Sequence, residues 1–364
     1  MTDVGKIYDL IDTFAPFSIS SNEDNSGLLV GGRADGVEKV LVTLDITSEA
    51  AVEAVSCGAS LVVSHHPVIY HPIYNLSNLH PAAILAKNNI SAICAHTNLD
   101  AAKGGLSDIM LEMLHLKPLP QILEITHELP YYQLAVFVPD ESREAVYNAM
   151  TAAGAGTLGA YSGCAFYTGG TGTFLPLEGA KPYVGEVGRR ETVPEARLEM
   201  IVPPSKRSAV IQAMLDAHPY EKPAYHLAQN YAIIEKTGFG RLGELESPLS
   251  AKQLAGIIKS TFGNTAVRYN DTKKPIKRVA VCSGGGGGLF KNALSFGADA
   301  FITGDVKHDQ FIDAQNYGIS IFDAGHFHTE NIFVDFLARE IKKGFPEITV
   351  LKAESSRDPV SYEI

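Results

Sequence analysis

The chain has 364 residues, 45% hydrophobic and 20% charged, the composition of a globular protein of two or three domains and not of a disordered one. Thirty Lys and Arg against 41 Asp and Glu give a net charge of -11, which disfavours general nucleic-acid binding; the densest basic runs, 273–278 and 342–343, read as solvated loop or helix ends. Cys57, Cys94, Cys164 and Cys282 form no C-x-x-C, the first residues carry no basic-then-apolar signal, and no apolar run nears the roughly 18 residues of a membrane helix, so a cytoplasmic protein with reduced thiols is expected.

Val4, Ile7, Tyr8, Ile11 and Phe14 fall at helical spacing behind Thr2 or Asp3. A buried strand over 39–44 follows, then a helix over 48–57 closed by Gly58, a strand over 60–63, a helix over 81–88, a strand over 92–95 and a helix over 106–114. Strand and helix alternating at this pace predict right-handed crossovers and a mostly parallel sheet. Between 127 and 232 the pattern changes. An alternating strand over 132–139, a helix over 142–153, a hairpin-like stretch with Gly163, Gly169, Gly170 and Gly172, a strand over 197–202, a helix over 206–215 and a strand over 224–227 have the order of an α+β domain of ferredoxin-like type.

The α/β rhythm then resumes, with strands over 278–282, 300–303, 319–322 and 348–351 and helices over 289–296, near 310–316 and over 329–342. The expected organisation is one α/β domain, mostly parallel sheets flanked by helices, built from 1–126 and 233–364 and interrupted by an inserted α+β domain over 127–232.

Ligands of such sheets gather at the carboxyl ends of the strands. Ser64-His65-His66-Pro67 follows one strand, His96-Thr97-Asn98-Leu99-Asp100 another, and Asp323-Ala324-Gly325-His326-Phe327-His328-Thr329-Glu330 a third. Histidines and carboxylates without thiolates suit Zn, Fe, Mn or Ni. Adjacent His65 and His66 point to opposite sides of an extended backbone, so one ion would struggle to use both, whereas two ions side by side can take one each where the strand end curls. His326 and Glu330 share a face if a helix has begun there, the carboxylate can bridge, and Asp100 completes the set. His71, His80, His115, His127 and His308 lack partners at ligand spacing and read as surface or hydrogen-bonding residues. The run Ser283-Gly284-Gly285-Gly286-Gly287-Gly288 follows a strand and opens a helix. It is neither a P-loop nor G-x-G-x-x-G, and it reads either as an anion cradle of Gly284, Gly285 and Gly286 or as a tight turn.

These segments, with Thr237-Gly238-Phe239-Gly240-Arg241-Leu242-Gly243 and in this order over nearly the whole chain, resemble the Nif-three-like family, whose members are often labelled GTP cyclohydrolase 1 type 2 homologs. The resemblance implies two divalent metal ions per chain, with zinc the foremost candidate. It also implies the ligands His65, His66, Asp100, His326 and Glu330, with Glu330 bridging and His96 beside the ions as an acid/base or outer ligand. It further implies a ring-shaped homohexamer whose trimer contacts run through a PII- or CutA-like insert, which Tyr161-Ser162-Gly163-Cys164 and His218-Pro219-Tyr220-Glu221 fit. Three functions are compatible with these parts. One is a hydrolase of a nucleotide or related heterocycle, with His96 moving a proton. Another is a two-metal phosphoesterase. The last is a non-catalytic metal-holding or regulatory hexamer whose insert binds a small molecule or partner.

Overall fold

The computed structural model describes residues 2–264, 266–361 and 363. The chain divides into two compact units, Met1–His127 with Thr237–Ile364, and Glu128–Lys236. In chain order the strands are β1 (Gly27–Val30), β2 (Lys39–Thr43), β3 (Leu61–Ser64), β4 (Ser91–Cys94), β5 (Lys117–Pro139), β6 (Ala165–Phe174), β7 (Glu191–Val202), β8 (Tyr225–Leu249), β9 (Arg268–Tyr269), β10 (Ile276–Val281), β11 (Ala300–Thr303), β12 (Ser320–Asp323) and β13 (Thr349–Lys352). The long strands β5 and β8 carry the chain out of the first unit and back.

The first unit is a mixed α/β fold with two sheets. In one, β4, β3, β2 and β13 are parallel neighbours and β1 closes the edge antiparallel to β4. In the other, β10, β11 and β12 are parallel, flanked by β8 and β9 in the antiparallel sense. The parallel strands are short apolar runs because helices cover both faces: Leu41, Val42, Val62, Val63 and Ile93 in one sheet and Phe301, Ile302, Ile321 and Phe322 in the other are buried.

Local chemistry sets the helix ends. The Asp3 side chain accepts from Lys6 N at the start of Val4–Phe14, and Ser250 and Gln253 form a capping box before Ala251–Phe262. The expected parallel sheets thus gain antiparallel edges. β1 and β9, four and two residues long, are too brief to show a period. The expected helix over 329–342 is two helices, His326–Glu330 and Ile332–Gly344, and that over 289–296 is a 3-10 turn, Gly286–Leu289, followed by Phe290–Ser295.

In the second unit the sheet order is β6-β7-β5-β8, with helices Arg143–Ala152 and Arg207–Ala217 after the first and third of its strands. This is the strand order of a ferredoxin-like βαββαβ unit. Leu134, Val136, Val138, Ala196, Leu198 and Met200 bury one sheet face against Val146, Met150, Val210 and Met214 of the helices. Among the described residues no helix is long and apolar enough to cross a membrane.

Candidate metal centre

Strand β3 stops at Ser64, and the next two amides both turn back to the Leu44 carbonyl, at 3.2 Å from His65 N and 3.0 Å from His66 N. The chain therefore curls where an extended backbone would have splayed the pair, and the two imidazoles lie 5.1 Å apart. The end of β4 leads into helix Thr97–Ala101, which carries Asp100, and the end of β12 leads through Gly325 into helix His326–Glu330.

These strand ends bring the expected residues together within the first unit. Glu330 is buried and stands between the histidines. Its Oε2 lies 3.0 Å from His66 Nε2 and 2.9 Å from His326 Nε2, and its Oε1 lies 3.8 Å from His65 Nε2. Asp100 Oδ2 lies 3.6 Å from His65 Nε2. The donor atoms of His65, Asp100 and Glu330 form one group able to hold an ion, those of His66, His326 and Glu330 another, and those of His65, His66 and His96 a third. The remaining histidines lie outside these groups. His80 caps helix Pro81–Lys87 by accepting from Ala82 N, His71 meets Tyr70 edge-on, His127 bonds Thr126, His115 sits at positive φ and His308 opens a helix.

Each ligand-type histidine is aimed by its other nitrogen. Nδ1 of His65 meets the Ala95 carbonyl at 2.9 Å, that of His66 meets Asp45 at 2.8 Å, that of His326 meets Asp305 at 2.7 Å and that of His96 meets Asp24 at 2.8 Å. A ring that donates at Nδ1 offers a lone pair at Nε2, the arrangement that fixes a metal-binding tautomer. Asp100 is held in turn by the Ser283 hydroxyl at 2.8 Å. The sequence reading gives no site role to Asp24, Asp45 or Asp305, and it singles out Ser283 only as the head of the glycine run. Asp45 and Asp305 sit two residues beyond β2 and β11, so the strand-end rule finds them when applied to every strand; Asp24 lies in an irregular segment with no such signal.

Electrostatics match this geometry. Burial opposes the charge on Glu330, yet the close approach of His326, His65 and His66 holds it well below the ordinary carboxylate range. Burial likewise opposes charge on His66, but Asp45 and Glu330 push it up to about 10; Glu330 and Asp305, against burial, push His326 up to about 9. Burial raises Asp100, and it raises the thiols of Cys94 and Cys282, which stay protonated and leave the donor set to nitrogen and oxygen. His65 Nε2 and Glu330 Oε2 are buried with no aligned hydrogen bond. Facing lone pairs in a buried site need a cation or protons between them, so the residues fit divalent metal ions.

The glycine run serves this centre in a way the sequence reading did not foresee. The Gly284 amide donates to Thr329 Oγ1 at 3.1 Å and the Gly286 amide to Thr303 Oγ1 at 3.0 Å, so these two groups are spent inside the protein, and of the two readings of the run the tight turn is favoured over an anion cradle of Gly284, Gly285 and Gly286. A Cβ on Gly284 would stand 2.0 Å from Glu330 Oε1, and the residue's φ is +59°. Glycine is there so that the carboxylate can be there. The centre opens into a cleft of about 740 Å³ walled by Tyr70, Phe239 and Leu289, with His96 and Glu124 also reaching it.

A two-sheet α/β unit with histidine and carboxylate donors at the strand ends defines an α/β protein with a candidate metal centre. The chain belongs to the family Duf34/NIF3 (NGG1p interacting factor 3), whose profile matches residues 2–359. It is 37% identical to a Bacillus subtilis (strain 168) protein named GTP cyclohydrolase 1 type 2 homolog over 366 residues, covering 98% of each chain. It is 35% identical to the protein of that name from Halalkalibacterium halodurans over 344 residues, 93% of this chain and 91% of the relative. Among solved structures it is similar to a Bacillus cereus protein related to NIF3, with 31% identity and a TM-score of 0.80 over 100% of this chain and 99% of that one.

Proposed function

We propose that the chain is a dinuclear metal-dependent hydrolase acting on a nucleotide or a related heterocycle. The observation that carries this reading is Glu330: its two oxygens face different donor sets, His65 with Asp100 on one side and His66 with His326 on the other. In this reading the five residues, with Glu330 common to both donor sets, would hold two divalent ions of the Zn, Fe, Mn or Ni type. Such ions supply Lewis acidity to a water and to the atom it attacks.

The chain's own residues do the rest. His96 donates Nδ1–H to Asp24 and keeps Nε2 to take and return a proton, its ring 5.1 Å from His65 and 5.3 Å from His66. Tyr70 and Phe239 offer flat apolar walls for a ring, which supports a heterocyclic substrate. The name of the relatives, GTP cyclohydrolase 1 type 2 homolog, points to the same class. The reading extends to a cytoplasmic homohexamer with trimer contacts through the second unit; its support is family membership, and the thiols, free at all four cysteines, agree with a reducing compartment.

The test is a nucleotide panel assayed with protein of measured metal content. Turnover of at least one member, lost on chelation and restored by metal, supports the hydrolase, and His96→Ala should then lower turnover more than it lowers metal content. A metal-loaded protein that turns over no member of the panel leaves a metal-holding role and sinks the hydrolase.

A further inference from the structure

The second unit holds a cavity that the centre in the first does not use. It measures about 740 Å³, within the usual range for small-molecule sites, and lies on the sheet face opposite the two helices. Its walls include Phe174, Tyr183 and Tyr220, whose rings stand 5.8 Å (Phe174–Tyr220) and 6.3 Å (Tyr183–Tyr220) apart. Those spacings leave no slot between the rings, and at interplanar angles of 64° and 52° they share no plane, so a flat ligand can lie on the face of one ring with the others at its edge.

Glu195 supplies the polar floor. Only 9% of it is exposed, its Oε1 accepts from the Tyr220 hydroxyl at 2.7 Å, and its Oε2 lies where a Cβ on Gly172 would stand, 2.1 Å away. Gly172 has no positive φ, so its backbone does not require glycine; the carboxylate does. The loop that carries Tyr220 is itself fixed. His218 donates Nε2–H to the Phe137 carbonyl at 2.9 Å and accepts the Tyr220 amide at Nδ1 at 3.0 Å, while Glu221 accepts the Lys181 amide at 3.2 Å. The segment His218-Pro219-Tyr220-Glu221 thus builds the site from both sides. Lys181 and Lys222 are exposed at the lining, while Arg197 is engaged with Glu199 at 2.6 Å.

A buried carboxylate facing a cavity asks for N–H donors, an aromatic wall asks for a flat ring, and two lysines at the mouth ask for an anion. We propose that this cavity binds a planar heterocycle with two adjacent N–H donors and an appended phosphate, the chemistry of a guanine nucleotide. The guanine edge places two parallel N–H groups on Glu195, the ring lies on the face of one aromatic side chain of the wall, and the phosphate reaches Lys181 and Lys222.

The test is calorimetric titration of the full chain with GMP, AMP and guanosine in excess chelator, so that the centre in the first unit is stripped of ions. GMP should bind. AMP should bind at least about tenfold more weakly, because adenine turns the lone pair of N1 towards the carboxylate. Guanosine should be weaker than GMP, and Lys222→Ala should weaken GMP without changing guanosine. Glu195→Gln and, independently, Gly172→Ala should each lower GMP affinity about tenfold or more with the melting temperature kept. Equal binding of GMP and AMP would overturn the proposal, as would GMP affinity unchanged in a folded Glu195→Gln protein. So would the absence of GMP uptake at millimolar ligand, with the substitutions altering sedimentation instead; that result would assign the face to a contact between copies.

Discussion

Replacing Gly284 by alanine tests whether the glycine run exists to admit Glu330. The added Cβ would lie 2.0 Å from Glu330 Oε1, 2.9 Å from its carboxyl carbon and 3.4 Å from His326 Nε2. Non-bonded carbon and oxygen approach to about 3 Å at best, so the carboxylate must retreat by about 1 Å, against a tolerance of about 0.2 Å in a metal–ligand bond. The residue's φ of +59° adds about 1–2 kcal/mol of left-handed strain, a cost to folding of a few degrees in Tm for a unit of this size. Glu330 belongs to both ion-holding groups that contain a carboxylate, so the two should fail together. Metal content after dialysis, read by plasma mass spectrometry, should fall from about two ions per chain to well below one, while circular dichroism shows a folded protein. Gly288→Ala is the matched control, since nothing lies within 4 Å of its Cβ and its φ is not positive. A Gly284→Ala protein that keeps its full complement of ions would refute the reasoning.

Asp45→Asn and Asp305→Asn remove the carboxylates that aim His66 and His326; each should weaken metal binding about 10–100-fold in a chelator competition while leaving Tm nearly unchanged. Arg241 is buried, with Nε on Asp108 at 3.1 Å and its other nitrogens on the carbonyls of Gly238, Gly240 and Ala102, so Arg241→Met should cost about 3–5 kcal/mol in urea unfolding and disturb the adjoining helix of Asp100. Burial lowers the pKa of His218, which stays neutral while bonded at both nitrogens. Its contribution to stability is therefore present above the unfolded value near 6.5 and lost as pH falls below it, at no more than about 1.4 kcal/mol per pH unit, and a His218→Gln protein should show a flatter acid limb in melts between pH 7 and 5. Replacing 128–236 by a short Gly/Ser linker should leave a folded core with its metal capacity, because β5 and β8 are neighbours and all five proposed ligands lie outside the excised stretch; a folded core without metal would refute that.

The parallel strands were legible because burial on both faces leaves unbroken apolar runs such as Leu61-Val62-Val63 and Ala300-Phe301-Ile302, and the strand-end rule then points to His65, His96 and His326. Periodicity cannot register a two-residue edge such as β9, nor the corner at Asn331 that divides one expected helix into two. The curl after Ser64 comes from a tertiary contact with the Leu44 carbonyl, so no local pattern encodes it. The glycine run left two readings open for a related reason: what it makes room for, Glu330, is far away in the chain. Adjacent glycines signal a close approach without saying what approaches.

The proposed donors straddle the second unit in sequence, His65, His66 and Asp100 before it and His326 and Glu330 after it. A bound ion would therefore act as a clasp between two distant stretches of chain, and its binding energy would count towards keeping them closed. A cut within 175–190, outside every strand and helix, would leave both pieces of the clasp intact, with β6–β7, β5–β7 and β2–β13 still paired across it, and the nicked protein should melt at a lower temperature once a chelator is added. A product truncated in that stretch would keep three donors and lack the carboxylate common to both sets, so it should be silent rather than half-active.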